Sequence, residues 1–377
     1  MSYKSFERRL AAFFCTLILL FACQNLSAAT EETEKFDAGP FIIEHVIDSY
    51  GWHICGDGDK SVTIPLPIIL FDDGHPVVFM SSKFHHGEAA YNGYAMGWGE
   101  NKGSIVKLDG NYADYTGLLE EGEMYENHVC KWDISITKNV CALFISLILI
   151  TCIFLSVAKR YKEHPNEVPS GLQALVEPII VFLQDEVITP SLGKNSNKYA
   201  PYLLTLFFFI FLNNMLGIVP IFPGGANLTG NIAVTGVLAI ITFFVTTFSS
   251  GKEYWKDIFN TPGVPWWLKI PLPLMPLVEV IGIFTKPFVL MVRLFANITA
   301  GHIITLAFVS LIFIFGQMNP AIGLAVSPVS IFFYIFMGLM ELLVAFIQAF
   351  VFTLLSAMYI GMAIGEEEHE HEAVVEA

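Results

Sequence analysis

PFVLMVRLFANITAGH, residues 287–302, is an apolar run interrupted by one arginine, one asparagine and one histidine. An ionisable group at mid-bilayer costs about 2.5–3.5 kcal/mol on insertion scales, so Arg293 and His302 each need a reason to sit in such a run. Spacing orders them. Residues seven apart on a helix drift by only about 20°. Glu279, Lys286 and Arg293 therefore share one stripe, which Asn297 extends. His302 follows Arg293 by nine residues and points to the opposite side of the helix. A structural ion pair between Glu279 and Lys286, or snorkelling of either to water, is the plainer reading of those two.

Outward from this run, the apolar segments Leu277–Gly316 and Ala321–Ile364 would each extend about 60 Å as helix. A bilayer core is about 30 Å thick, and ordinary tilts near 20° do not absorb the excess. Each segment either splits into two spans or lies steeply inclined. Splitting the first needs a turn near residues 296–301, where Gly301 is the strongest breaker, and extra spans need loop charges that are missing. A long inclined helical hairpin is expected. Its second arm carries Tyr334, Glu341 and Gln348 at seven-residue spacing, a polar stripe that marks a wet or partner-facing surface. With the turn centred near residue 318, His302 and Glu341 differ in depth by about 10 Å, which crossing or a longer loop must absorb. If they meet, imidazole and carboxylate make a natural proton relay. A satisfied interhelical contact is the alternative.

Earlier segments supply the topology. Val140–Ala158 is followed by Lys159, Arg160 and Lys162. Gly171–Leu192, with Glu177, Asp185 and Glu186, reads as an amphipathic surface helix. Tyr199–Pro220 and Asn231–Ser249 each have the length of a span. Lys194, Lys198, Lys252, Lys256 and Lys269 fall in the loops on one side, while 221–230 and 317–320 lack Lys and Arg. By the positive-inside rule the N-terminus is exported and the C-terminus cytoplasmic. The expected fold is all-α, with about five membrane helices over 139–365 and an acidic cytoplasmic tail over 366–377.

Composition agrees: 54% of the 377 residues are hydrophobic and 15% charged, against about 25% charged in soluble domains. The net charge of −15 argues against a nucleic-acid partner. Lys4, Arg8 and Arg9, the short apolar run Leu10–Cys23 and Ser27–Ala29 read as a signal peptide over 1–29, with a retained anchor as the alternative. Residues 30–138 then form a small exported, periplasmic segment. Pieces such as 62–64 and 76–80 are β-prone, so it reads as β-rich. Cys55 and Cys130 can pair in an oxidising compartment. The adjacent His85 and His86 lack a second cluster with ligand spacing, so no metal and no cofactor is expected.

The run at 287–302 resembles the signature helix of the ATP synthase subunit a family. Glu341 with Gln348, Phe350 and Phe352 resembles the family's last helix, and Asn213, Asn214 and Gly217 before Pro220 its first core helix. The resemblance spans about 139–365, and the Arg-Leu-Phe-x-Asn core with its following Gly is highly specific. It implies a non-catalytic proton-channel subunit of the bacterial inner-membrane F0F1 complex, partnered by the c-ring and the b stalk. It further implies that Arg293 faces the ring, each of whose subunits carries a carboxylate, with Asn297 and Gln348 near it. His302 and Glu341 match a pair that many bacterial members carry in the reverse order, Glu first and His second. His302, Glu341, Asn213 and Asn214 are assigned to an outer half-channel, and Glu279, on the stripe of Lys286, to an inner one. Ala296 replaces a usual Gly, and residues 30–138 have no evident counterpart. Two rivals remain at this stage. A secondary transporter would show internal repeats and broken helices. A membrane metal enzyme would use His369, Glu370 and His371 in the tail.

Overall fold

The computed structural model describes residues 37–364 apart from 56–61, 73, 110–111, 113, 120–124, 126, 165–166, 220–221, 223 and 260–273. The expected signal peptide and the tail histidines lie outside the described residues.

The N-terminal part is strand-rich, as expected. Helix α1 (Ala38–Val46) starts where the Asp37 carboxylate accepts from the Gly39 N–H at 3.0 Å, the usual N-cap device. Among the described residues ten short strands follow: β1 (Gly51–Cys55), β2 (Val62–Pro65), β3 (Pro67–Asp72), β4 (His75–Met80), β5 (Ala89–Ala90), β6 (Tyr94–Met96), β7 (Ile105–Leu108), β8 (Gly117–Leu118), β9 (Asn127–Val129) and β10 (Trp132–Asp133). All pair antiparallel, in the orders β1-β2, β10-β3-β4, β5-β8 and β6-β7-β9. Both stretches read as β-prone are strands. Alternation on β3 sends Ile68 and Leu70 inward, as the two-residue strand period requires. They pack with Phe79, Phe84, Tyr94 and Ile105. Beside this core Asp72 accepts from Tyr94 and Lys107. The Lys107 ammonium holds its carboxyl below the usual range, whereas burial and Asp72 push the Tyr94 phenol up to about 12. The Cys55–Cys130 link that the sequence allows is not formed. Cys130 is a free thiol, raised to about 11 by burial and by Asp72 and Asp133.

The remainder is helical. Among the described residues, five helical stretches are long and apolar enough to cross a membrane. Helix α2 (Lys138–Glu163) is capped by Thr137. The stretch read as a surface helix is α3 (Leu172–Leu183), a π-turn (Gln184–Ile188) and α4 (Thr189–Leu192), which buries one face in the helical core and runs on through a 3₁₀ turn into α5 (Ser196–Ile218). Helix α6 (Ile232–Ser249) begins at Asn231, whose side chain accepts from the Ala233 N–H at 2.9 Å. A short α7 (Lys252–Phe259) precedes the two long helices, α8 (Leu274–Met318) and α9 (Pro320–Ile364).

Neither long helix is split. Each has 45 residues, about 67 Å, so neither stands upright in a 30 Å core. The turn between them is chemically determined. Asn319 caps α9 through the Ala321 N–H at 2.9 Å, and Pro320 fills the first helical position, where its missing N–H costs nothing. The arms close at Gly316 and Gly323, where a Cβ on Gly323 would stand 2.6 Å from the Gly316 Cα. A shared core of α3, α4, α5, α8 and α9 residues, including Leu203, Phe207, Leu290, Leu294 and Phe352, fastens the hairpin to the rest.

Candidate functional site

Helix α8 is oriented by its buried row. Leu290, Leu294 and Ile298, four residues apart, are 1–3% exposed, because residues at that spacing share one face. That placement turns Arg293 and Asn297 outward, where both are exposed. Arg293 forms no ion pair among the described residues. Lys286 is half-buried and lies over the Tyr359 ring of α9 at 5.3 Å to the centroid. It is not paired with Glu279, which is itself half-buried. The drift per seven residues, and the reach of a lysine stem, therefore separate Lys286 from Arg293 although both lie near one stripe.

His302 sits on the inner side, as its nine-residue spacing requires. Its Nδ1 lies 2.8 Å from Oε1 of Glu341. The turn centre at Asn319–Pro320, rather than near residue 318, cuts the expected depth mismatch to about 6 Å, and a slip of about one turn between the helices absorbs that. The arms are in register near the turn and drift out of it farther along the hairpin. Ser330 donates to the Phe308 carbonyl at 2.8 Å, and Phe308 stacks on Phe333. Gly301 lets α9 approach, since a Cβ there would already touch the Glu341 side chain at 3.5 Å. The Thr305 hydroxyl lies 3.3 Å from Glu341 Oε2 and 3.0 Å from the Gly301 carbonyl, one proton for two acceptors.

The α9 stripe faces inward. Glu341 and Gln348 are only 6% and 8% exposed, and Tyr334 is half-buried, so the partner-facing alternative is corrected for this stripe. Small residues on the neighbouring buried positions, Ala345 and Ala349, draw α5 close. Asn214 on α5 donates to the Ala345 carbonyl at 3.2 Å and accepts from Thr229 at 2.5 Å. Asn213, also buried, spends its amide on the Phe209 carbonyl of its own helix at 2.7 Å. A Cβ on Gly217 would lie 3.4 Å from His302 Nε2. The His302–Glu341 pair thus lies between α8 and α9 with Gly217 of α5 against it, and Asn214, bonded one turn from Glu341 at Ala345, stands beside it.

A second polar group lies farther along α8. A small cavity is lined by Thr242, Thr246, Tyr254, Lys286 and Tyr359 among others. Thr242 bonds Tyr202 at 2.8 Å, and the buried Thr246 hydroxyl has no hydrogen-bond partner. An unpartnered buried hydroxyl in a polar cavity is a natural water site. Sequence reading missed Thr305, Thr229, Thr246 and Tyr359. Thr305 alone carried a signal, three residues after His302 and so on its face. Among the described residues no three His, Cys, Asp or Glu side chains come together as metal ligands.

A family model described as ATP synthase A chain matches residues 140–361, and one described as a domain of unknown function matches 41–133. The chain is 40% identical over 297 residues to "ATP synthase subunit a 2" of Prosthecochloris aestuarii, covering 76% of this chain and 87% of that protein. It is 41% identical over 249 residues to "ATP synthase subunit a" of Chloroherpeton thalassium, covering 64% and 70%. It is 40% identical over 247 residues to "ATP synthase subunit a" of Myxococcus xanthus, covering 64% and 76%. The first match covers more of the chain than residues 139–377 hold, so it runs into the strand-rich N-terminal part, for which the sequence offered no evident counterpart. On the match over 140–361 and these identities, the chain belongs to the ATP synthase A chain family.

Proposed function

We propose that this chain is the proton-translocating subunit of the membrane sector of a rotary ATP synthase, and that Arg293 divides two proton paths at a ring of c subunits. One observation carries this. Arg293 is exposed on an apolar helix face with no counter-charge in its own chain among the described residues. A guanidinium does not deprotonate in proteins, and a lone cation at membrane depth is costly. A ring carboxylate from outside the chain has the chemistry such a cation calls for.

Electrostatics supplies the mechanism. A fixed cation favours the ionised form of each arriving carboxylate and so drives its proton off. The same charge prevents a proton from passing straight between the two paths. His302 and Glu341, with Asn214 and Asn213 beside them, form the outer path. Glu279 and the cavity around Lys286 form the inner one. Asn297, one turn along α8, flanks the arginine on its exposed face, and Gln348 stands on the buried face of α9. Each charge crossing 100 mV delivers about 2.3 kcal/mol, so several protons must pass for each ATP made. The subunit itself carries no catalytic residue. It sits in the bacterial inner membrane with its N-terminus periplasmic, beside the c-ring and the b stalk.

Arg293→Ala should abolish ATP-driven proton pumping by the reconstituted complex while a c-ring still co-purifies. Pumping at the wild-type rate would sink the proposal.

A further inference from the structure

The exported domain does no obvious work in the path just described, yet it is fastened to the membrane domain at separate points. Trp52 on β1 is 3% exposed and packs with Ala142 of α2 and Ala226 of the α5–α6 loop. Its ring meets Phe222 of that loop edge-on, 5.1 Å between centroids. At the start of α2, the Lys138 N–H donates to the Ser49 carbonyl at 2.8 Å, and the Asn139 N–H to the Asp48 carboxylate at 3.0 Å. The buried Lys138 ammonium reaches the His45 and Ile47 carbonyls at the end of α1, each at 3.4 Å. Helix α1 in turn packs against α8. This is a rigid mounting rather than a domain on a linker.

The loop under Trp52 is also the loop behind the polar group. A Cβ on Gly217 would stand 3.4 Å from the Ala226 carbonyl and equally 3.4 Å from His302 Nε2. The Gly225 N–H donates to the Leu216 carbonyl at 3.0 Å, and Thr229 donates to Asn214. Thr299 of α8 reaches the Gly230 carbonyl at 3.4 Å. One short loop therefore has the exported domain on one face and the His302–Asn214 group on the other. Three of its residues over 224–230 are glycine, and Gly225 adopts φ +77°. Such a loop has little stiffness of its own and takes its position from what holds it.

We propose that the exported domain is a clamp on the α5–α6 loop, with Trp52 as a positioning residue that holds Gly217, Asn214 and His302 in register at the outer end of the proton path. The inference rests on the outer path proposed above. Proton relays depend on contact distances, and a shift of about 1 Å in a supporting element is enough to degrade them.

The test uses the whole complex in vesicles, with ATP-driven pumping normalised to the complex recovered. Trp52→Ala should lower pumping about fivefold, and Trp52→Phe, which keeps a ring on Phe222, should restore most of it. Phe222→Ala, at a position already 45% exposed, should reproduce the loss without endangering the fold. The Trp52→Ala/Phe222→Ala double variant should fall no further than the worse single, because the two share one contact. If Trp52→Ala does not assemble, Phe222→Ala decides the matter alone. Wild-type pumping by Phe222→Ala overturns the clamp and leaves the reading of Arg293 standing. Normal pumping by Arg293→Ala overturns that reading whatever Trp52 does.

Discussion

Arg293 and His302 share a helix but meet opposite environments, and the difference follows from nine residues of spacing. Among the described residues the arginine has no counter-charge in its own chain, while the histidine lies 2.8 Å from Glu341 inside the hairpin. The pair is a carboxylate–imidazole couple at contact distance, and exchanging its members would bring the same two groups together. His302→Glu alone would leave two carboxylates at contact distance, and like charges cannot both ionise there. Glu341→His alone would leave two imidazoles without the carboxylate that orients one of them. Each single variant should therefore lose pumping by about a hundredfold. The double variant His302→Glu/Glu341→His should recover most of the wild-type rate in the same vesicle assay. A double variant as inactive as the worse single would mean that the two positions act independently.

At the scale of the element, the hairpin depends on small residues at particular heights. Gly316 and Gly323 let the arms touch backbone to backbone beside the turn, and Gly301 admits Glu341. A Cβ on Gly323 would lie 2.6 Å from the Gly316 Cα, and backbone has little room to yield. Gly323→Ala should cost about 1–3 kcal/mol through overpacking. The internal control is Gly338, on the same helix, where a Cβ would meet nothing within 4 Å. Gly338→Ala should stabilise the helix by up to about 1 kcal/mol, since glycine is the poorer helix former. Thermal inactivation of the two variant complexes should therefore shift in opposite directions. Shifts of the same sign would show that the tight crossing at Gly316 does not limit the hairpin. Length had announced this hairpin, because two unbroken 60 Å apolar segments admit few other arrangements. The inward turn of Glu341 and Gln348 had no such signal. A heptad stripe records that polar residues share a face, and only the packing of α5 against α9 says what that face meets.

For the whole molecule, legibility divides along a physical line. The spans were readable because bilayer thickness and loop charge constrain them locally: α2, α5, α6 and the hairpin lie where hydropathy put them. Pairings between distant segments were readable only where a residue type demanded a partner, as with His302 and Glu341. Trp52 on Phe222, Thr229 on Asn214 and Lys286 on Tyr359 join residues that carry no mark of one another. The state of Cys130 could not be read from sequence for the same reason, since a thiol's partner depends on three-dimensional approach. The orientation of the whole chain rests on loop charge and is open to direct test. Lys159, Arg160, Lys162, Lys194 and Lys198 cluster at one end of the helices, whereas residues 224–230 and the turn at Asn319 lie at the other and lack cations. The strand-rich domain packs at the cation-poor end, against Phe222 and Ala226. By the positive-inside rule that end is expected to face the periplasm. In a cysteine-free background, a cysteine at the exposed Ser82 should react with a membrane-impermeant maleimide in intact spheroplasts. A cysteine at Lys162, exposed at the far end of α2, should react only in inside-out vesicles. The reverse pattern would place the exported domain in the cytoplasm, and the polar group at His302 would then belong to the inner path.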